Sequence, residues 1–576
     1  MKKAYFFIVV LGFCSTVSMA QSWVWGKRGG GSGNTVETIQ SMAIDSHNNI
    51  YATAMVSAYN IDIDGHTLNS TDMGQNMIPT DAVLTSFACD GSYRWSKIFT
   101  GQDHEVLKYV HTDAQDNVYV TGFAGGGGGS LTFFKYPNYL DSDVTFDQTT
   151  TVQDYCIAFI VKYNSNGIMQ WLKRIRPPYP SITTDNQVSI TGYTLDSNGN
   201  SFLLASLSPD SYFDGALTVT GTGYKNYVLK FDTNGNYTGA TYLDFQSTYG
   251  SGITFYRNPY NGNYYLTSNK GDVNDIATFG GQNVSTDAVL ACFDSAGQFQ
   301  WVRTDVTTGA YGDCIIVNMT FDINNDVYLV LRLTSGSTID SFLGYSIAEA
   351  TAPITIMKTN PNVDTVIWAS RSTTFINANP TGGVAINNNE IAISNFSGNG
   401  FTWGTQTSVA TPGATPLLAR LNKTTGECIG LSNINNNNQL NDNGDFLMLD
   451  NNGDYIIGGQ FHSILYFDTN QQILNNGPQT DFFIAKYSTS VCSLSTADFK
   501  EQGLELYPNP VENTVRVTTT EDLDYSLYTI TGKLIKQGKI TEQENTIDFA
   551  QLSTGTYILE TTNCNGEVKK VKLLKK

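Results

Sequence analysis

The heptapeptide DFFIAKY (Asp481–Tyr487) and the pentapeptide WVWGK (Trp23–Lys27) lie at opposite ends of one repeat array, and together they decide the fold. The heptapeptide is the last copy of an element that starts near Asp81, Asp154, Asn226, Asp287, Pro353, Pro416 and Asp481. A turn and then a tryptophan follow it in four copies, at Trp95, Trp171, Trp301 and Trp368. No such segment follows the last copy, whereas the pentapeptide is that segment without its predecessor. A circular array explains both facts, because the N-terminal strand then completes the last repeat and closes the ring.

Two further elements recur seven times. An acid or asparagine, a turn and an aromatic or apolar run appear at Asp45–Tyr51, Asp113–Tyr119, Asp196–Phe202, Asn258–Tyr264, Asp322–Tyr328, a degenerate Asn387–Ile391, and Asp450–Tyr455. An aromatic or apolar residue at a second turn appears at Ile63-Asp64-Gly65, Phe146-Asp147, Phe213-Asp214-Gly215, Phe279-Gly280-Gly281, Phe342-Leu343-Gly344, Trp403-Gly404 and Phe467-Asp468. Seven repeats of roughly 60 to 75 residues, each with four short strands, predict an all-β, seven-bladed β-propeller closed by its N-terminal strand over residues 21–490. An open solenoid is the alternative, and the split repeat argues against it. The repeats resemble the bacterial β-propeller repeats of surface proteins. More loosely they resemble quinoprotein blades, since FDSAGQFQW (Phe293–Trp301) sets Gly297 four residues before the tryptophan. The regular Ala-x-Asp-x-x-Thr-Gly spacing of those blades is missing, so no quinone is expected. The sialidase Asp-box, with its glycine three before the tryptophan, is missed by one residue.

The two ends read as addresses. Lys2 and Lys3, the apolar run Ala4–Cys14 and Ser18-Met19-Ala20 before Gln21 have the layout of a secretory signal over residues 1–20, cleaved between Ala20 and Gln21. Phe13 before Cys14 does not suit a lipoprotein box. No later stretch approaches the roughly 18 apolar residues that span a bilayer. At the other end, beyond a linker at 491–503, LELYPNP (Leu504–Pro510), YSLYTITGKLIKQGKI (Tyr525–Ile540), QLSTGTYILE (Gln551–Glu560) and a lysine-rich terminus follow in order. The prolines forbid helix, and Thr531-Gly532 and Asn565-Gly566 sit between apolar alternations as hairpin turns, which predicts a small β-sandwich over 504–576. This order resembles the type A C-terminal sorting domain of the type IX secretion system of Bacteroidetes. The resemblance gives Tyr507, Pro508, Asn509 and Pro510 as the opening motif, Gly532 and Lys533 as the hairpin, Leu552, Gly555 and Tyr557 in the penultimate strand, and Lys569 and Lys570 in the terminal run to Lys576. It implies recognition by the outer-membrane translocon, removal by a sortase-like peptidase that can attach the protein to surface lipopolysaccharide, and a secreted or cell-surface destination.

Composition narrows the partner. The chain carries 33 basic and 52 acidic residues; loss of the signal removes two lysines and no acid, leaving 31 against 52, a balance of −21. Such a surface repels nucleic acid and anionic lipid. The five histidines, His47, His66, His104, His111 and His462, lack zinc spacing, and no G-x-S-x-G elbow is present. The glycine run Gly125–Gly129 has no Lys-Ser/Thr after it and is no phosphate loop. Asn60-Ile61-Asp62-Ile63-Asp64-Gly65 has the alternating oxygens of a calcium loop but reads as a hairpin turn. Asp442, Asp445, Asp450 and Asp454 are denser in oxygens and are the calcium candidates; no other cofactor is expected. Seven cysteines remain after signal removal, and six once Cys564 leaves with the tail: Cys89, Cys156, Cys292, Cys314, Cys428 and Cys492. The even count fits maturation by proteolysis; buried free thiols are an equally simple reading, and the pairing is open. The functional expectation is a binding or adhesion module for a glycan or protein ligand. The alternatives are a polysaccharide hydrolase or lyase, with carboxylates converging at the channel mouth, and a purely structural surface protein. Deleting Val571–Lys576 is expected to hold the protein in the periplasm with the repeat body still folded, as cell fractionation with limited proteolysis will show.

Overall fold

The computed structural model describes residues 21–57, 60–69, 80–100, 105–124, 138–140, 144–146, 157–175, 188–248, 252–272, 274–306, 314–333, 341–346, 354–373, 382–398, 400–437, 440–492, 505–507, 509–518, 522–529, 533–541, 545–562 and 568–576. The expected signal segment, Gly125–Gly129, Cys156, Pro508, Gly532 and Cys564 lie outside them. The chain divides into two compact units, the first ending at Cys492 and the second starting at Ser493. It is all-β, with no helix among the described residues.

Seven four-stranded antiparallel meanders build the first unit. In chain order, sheet 1 holds Thr38–Ile44, Ile50–Ser57, Thr80–Phe87 and Tyr93–Thr100, and sheet 2 holds Val106–Thr112, Val118–Ala124, Ile157–Tyr163 and Met169–Ile175. Sheet 3 holds Ser189–Leu195, Ser201–Leu207, Lys225–Phe231 and Tyr237–Leu243; sheet 4 holds Thr254–Arg257, Tyr264–Asn269, Ala288–Phe293 and Phe299–Val306. Sheet 5 holds Cys314–Phe321, Val327–Leu333, Ile354–Thr359 and Val366–Arg371; sheet 6 holds Val384–Asn387, Glu390–Ser397, Thr415–Asn422 and Cys428–Asn433. Sheet 7 takes Asn443–Leu449, Tyr455–Phe461 and Asp481–Ser488 from the end of the unit and its fourth strand, Ser22–Gly30, from the beginning. Their register runs from Ser22 opposite Ser488 to Gly29 opposite Phe482. Consecutive sheets lie against one another, and the first strand of sheet 1 also lies against sheet 7, so the order is cyclic.

Burial explains the repeat pattern. The third strands of sheets 1, 4 and 7 are buried along their whole length, because neighbouring sheets cover both faces, and a strand covered twice reads as a continuous apolar run. Tryptophan and glycine lock successive sheets. Trp95, Trp171, Trp301, Trp368 and Trp25 occupy one position of the fourth strand in sheets 1, 2, 4, 5 and 7. The Trp95 indole donates to Ser165 O at 3.0 Å in the next sheet's turn, Trp171 to Thr233 O at 3.1 Å and Trp368 to Lys423 O at 3.1 Å. The turn must be glycine: an added Cβ would meet the ring at 2.8 Å at Gly167 and 2.6 Å at Gly426, and both glycines have positive φ.

A two-stranded hairpin stands between the second and third strands of every sheet; in sheets 1, 3, 4, 5, 6 and 7 its turn falls at the second recurring element of the sequence, whose flanking strands are too short to be read there. The hairpins of sheets 1, 2 and 5 pair back onto the fourth strand of the preceding sheet. Those of sheets 4 and 7 pair with Phe245–Ser247 and Asn435–Asn436, just beyond the fourth strands of sheets 3 and 6. The added strand covers part of an edge that would otherwise template aggregation. One turn is corrected: Phe146 ends the second hairpin strand, Val144–Phe146, which pairs antiparallel with Asn138–Leu140, so Phe146-Asp147 is not the turn between these two strands.

A disulfide joins Cys89, in the last turn of sheet 1, to Cys492, four residues past the last strand of sheet 7. Cys292 and Cys428 are buried free thiols, so the even cysteine count does not reflect full pairing. The second unit has sheets of three and four strands around one core that includes Val515, Leu527, Phe549, Leu559 and Leu573. With its cysteines 403 positions apart, the bridge is worth up to about 6 kcal/mol in the chain-entropy model, against about 2–5 kcal/mol for native bridges generally. Cys89→Ser should therefore lose about 2–5 kcal/mol in chemical unfolding, and reducing agent should lower the wild type to the variant's stability.

Candidate functional site

The two ends of the seven sheets differ in chemistry. At one end, the first strand turns into the second through an Asx-turn in six of the seven sheets, whereas sheet 6 uses a two-residue turn between Asn387 and Glu390. Asp45 accepts from the amides of His47 and Asn49 at 2.9 and 2.8 Å, from Asn49 Nδ2 at 2.8 Å and from the Tyr51 hydroxyl at 2.7 Å. Asp113 with Tyr119 and Asp322 with Tyr328 repeat the pattern. Turns also bond their neighbours: Asn451 of sheet 7 donates to Asn48 and Asp45 of sheet 1, and Ser46 of sheet 1 donates to Asp116 of sheet 2. His47 lies 2.8 Å from Asp116, and with Asp45 the three offer ligand atoms within 4.8 Å of one another. Asp45 and Asp116 already accept several donors, so the group serves as a turn lock. Sequence reading missed this cluster because His47 and Asp116 belong to different repeats.

The calcium candidates separate. Asp450 and Asp454 come together around the buried Lys486 amine, at 2.8 and 3.2 Å, so a cation already sits between them. Asp442 precedes the strand Asn443–Leu449 and Asp450 follows it, which puts them about 25 Å apart. Asp442 accepts from Asn436 Nδ2 at 2.7 Å and from the His462 amide at 2.9 Å, and Asp445 lies within the strand. Asp62 and Asp64 pair with Arg28 and Lys27, and positive φ at Asp64 and Gly65 makes that segment a hairpin turn.

The first strands spend their polar groups on stitching sheets together. Lys108, Tyr109 and His111 of sheet 2 donate to Ile190, Thr191 and Tyr193 carbonyls of sheet 3 at 3.2, 2.9 and 3.0 Å, and Asn318 of sheet 5 donates to Gly382 O of sheet 6 at 2.8 Å. Among the described residues, Asp445 is the one carboxylate within these seven strands.

At the opposite end, where hairpins and the longer connections emerge, acids are buried. Glu37 and Asp481 are 1% and 0% exposed and crowd the same side of Gly30, where any Cβ would strike both. Glu37 accepts from the amides of Gly31 at 2.8 Å and Ser57 at 2.9 Å. Burial, reinforced by the neighbouring Asp481, pushes the Glu37 carboxyl up to about 9. Asp481, facing Arg28 at 3.1 Å, is pushed by burial to about 6, and its Oδ1 has no hydrogen-bond partner.

In the second unit, Tyr507 is half exposed, and Asn509 accepts from the Leu574 amide at 2.9 Å and donates to Lys572 O at 3.0 Å. The opening motif and the terminal strand are thus joined. Lys533 closes its hairpin on Thr529, Leu552 packs on the core, Gly555 begins a strand, and the buried Tyr557 donates to Ser553 O at 2.8 Å. Lys569 and Lys570 lie in the last strand, Val568–Lys575.

Residues 505–576 match the family model described as the secretion system C-terminal sorting domain. A stretch of 192 residues is 26% identical to an uncharacterized WD repeat-containing protein of Acanthamoeba polyphaga mimivirus, spanning 32% of this chain and 12% of that relative's length. Among solved structures, quinohemoprotein alcohol dehydrogenase from Comamonas testosteroni is 11% identical with a TM-score of 0.35, over 86% of this chain and 79% of its own. A protein of unknown function from Dyadobacter fermentans is 11% identical with a TM-score of 0.33, over 67% and 97%. Likenesses this weak lend no chemistry to the repeat body.

Protonation of the buried dyad has a pH signature. A carboxyl whose folded pKa lies above its unfolded value contributes stability that is complete below the unfolded value and lost as pH rises through the folded one, here through about 6 for Asp481 and about 9 for Glu37. Glu37→Gln keeps the amide acceptor and offers a donor to Asp481. It should match wild type near pH 5, exceed it by about 1–3 kcal/mol at pH 9, and flatten the pH profile of chemical unfolding between them.

Proposed function

We propose that residues 21–492 form a seven-bladed β-propeller that acts outside the cell as a binding or adhesion module, with recognition at the hairpin end. The sorting tail carries type IX secretion-directed export, so the repeat body works as an exported protein. One observation carries the binding reading: the Asx-turn end is nearly uniform from sheet to sheet, whereas the hairpin end varies in sequence and length. Variation on a rigid scaffold is what recognition uses and what packing does not need. The first strands, with one carboxylate among their described residues, supply no acid pair of the kind glycosidases use. A glycan is the preferred ligand, because exposed tyrosines such as Tyr224 and Tyr242 give flat faces for sugar rings and nearby amides give hydrogen bonds. After export, removal of the tail by the sortase-like peptidase would leave the propeller released or attached to surface lipopolysaccharide.

The test is a glycan and polysaccharide array with the chain from Gln21 onward, reading bound ligand and released sugar in the same wells. Saturable binding without product is expected. Product release would replace this reading with a hydrolase or lyase, and silence in both would shift it to a protein ligand or a structural role.

A further inference from the structure

The fourth strands of sheets 3 and 6 lack the interlocking tryptophan. In sheet 6, Gly430 takes its place, and an added Cβ there would meet Arg420 at 2.9 Å. In sheet 3 the place belongs to Gly239, opposite Lys230, and nothing lies within 4 Å of where its Cβ would stand. The turn of sheet 4 that would have held the indole sits two residues further along, with Gly297 against Thr241 and the Tyr242 carbonyl. A space that a ring fills in five other sheets is open here.

The charges around it are also exceptional. In sheets 2, 5, 6 and 7 the third-strand cation pairs with an acid: Lys162 with Asp113 at 3.7 Å, Lys358 with Asp326 at 2.9 Å, Arg420 with Glu390 at 3.6 Å and Lys486 with Asp450 at 2.8 Å. Lys230 of sheet 3 has no such partner, and Asp196 is satisfied by the amides of Asn198 and Asn200 and by Asn200 Nδ2. A second cation faces it from sheet 4. The Arg257 guanidinium lies 4.2 Å from the centroid of Phe202, reaches the Tyr264 hydroxyl, and keeps a buried Nε–H with no acceptor. Phe202 stands where Tyr119 and Tyr328 carry hydroxyls in sheets 2 and 5. Burial, and then the charge of Arg257, hold the Lys230 amine below its usual range. On a chain of net charge −19, two neighbouring cations without an acid, beside a position at Gly239 that no ring occupies, form an unsatisfied arrangement.

We propose that the seam between sheets 3 and 4 binds a carboxylate-bearing sugar ring of hexuronate size, with the ring in the slot at Gly239 and the carboxylate on Lys230 and Arg257. The guanidinium fork gives two parallel donors to a carboxylate, and the ammonium adds a third. Acidic sugars enter here because the local charge is positive although the whole surface is negative.

This proposal rests on the glycan-binding reading but adds a separate site at the Asx-turn end of the sheets, and calorimetry with the chain from Gln21 onward separates the two. Titration with sodium glucuronate at constant ionic strength should give saturable heat, and glucose at the same concentration none. Arg257→Gln should weaken glucuronate at least tenfold, Arg257→Lys less, and Lys230→Gln about tenfold, each with unfolding curves showing an intact fold. Equal affinity in Arg257→Gln and wild type, or no heat from glucuronate, overturns the proposal. Heat from sulfate or phosphate but not glucuronate replaces the sugar acid with a tetrahedral anion and also overturns it. Binding to a neutral glycan on the array that is unchanged by Arg257→Gln would leave the propeller's lectin-like reading standing and this site refuted.

Discussion

The repeat body depends on one strand pairing, Ser22–Gly30 against Asp481–Ser488. Every other sheet is assembled from consecutive residues, but sheet 7 requires the two ends of the unit to meet. Such a contact carries the largest loop-closure cost in the unit and forms only when the intervening sheets have brought the ends together. The surroundings of the pairing are correspondingly rich: Trp23 packs on Tyr487 with centroids 5.1 Å apart, Arg28 bridges Asp481 and Asp62, and the Cys89–Cys492 bridge holds the segment just beyond it. Because Cys492 ends the first unit, the covalent tie lies on the repeat side of any cut that removes the export tail.

Around that closure, adjacent sheets are held by two kinds of contact at two levels. Apolar faces and the tryptophan–glycine contacts give non-directional attraction with a fixed spacing. Asx-turns and carbonyl-directed side chains give direction, and they use many of the polar groups of the first strands. A scaffold with its polar groups so committed is rigid. Chemistry then concentrates where the repeat departs from its own rule, as at Gly239 and Arg257.

Sequence reading found the strands, the split sheet and the tail because each leaves a local mark: a buried strand is a continuous apolar run, a tight turn needs an acid, an asparagine or a glycine, and a missing strand is conspicuous in a periodic array. The hairpins between second and third strands were legible only as turns, because their strands are two or three residues long. The surroundings of the calcium candidates were not legible for a related reason. Asp450 and Asp454 are dense in oxygens, but their cation is Lys486, which lies in a different strand.

Sequence alone thus determined the all-β class, the sevenfold repetition and the export tail, since these follow from periodicity and from motifs contained in short stretches. Tertiary structure decided which cysteines pair, which acids stay protonated and where cations are left without partners. Those properties depend on distances between residues hundreds of positions apart and on the water excluded around them, and no local pattern encodes either.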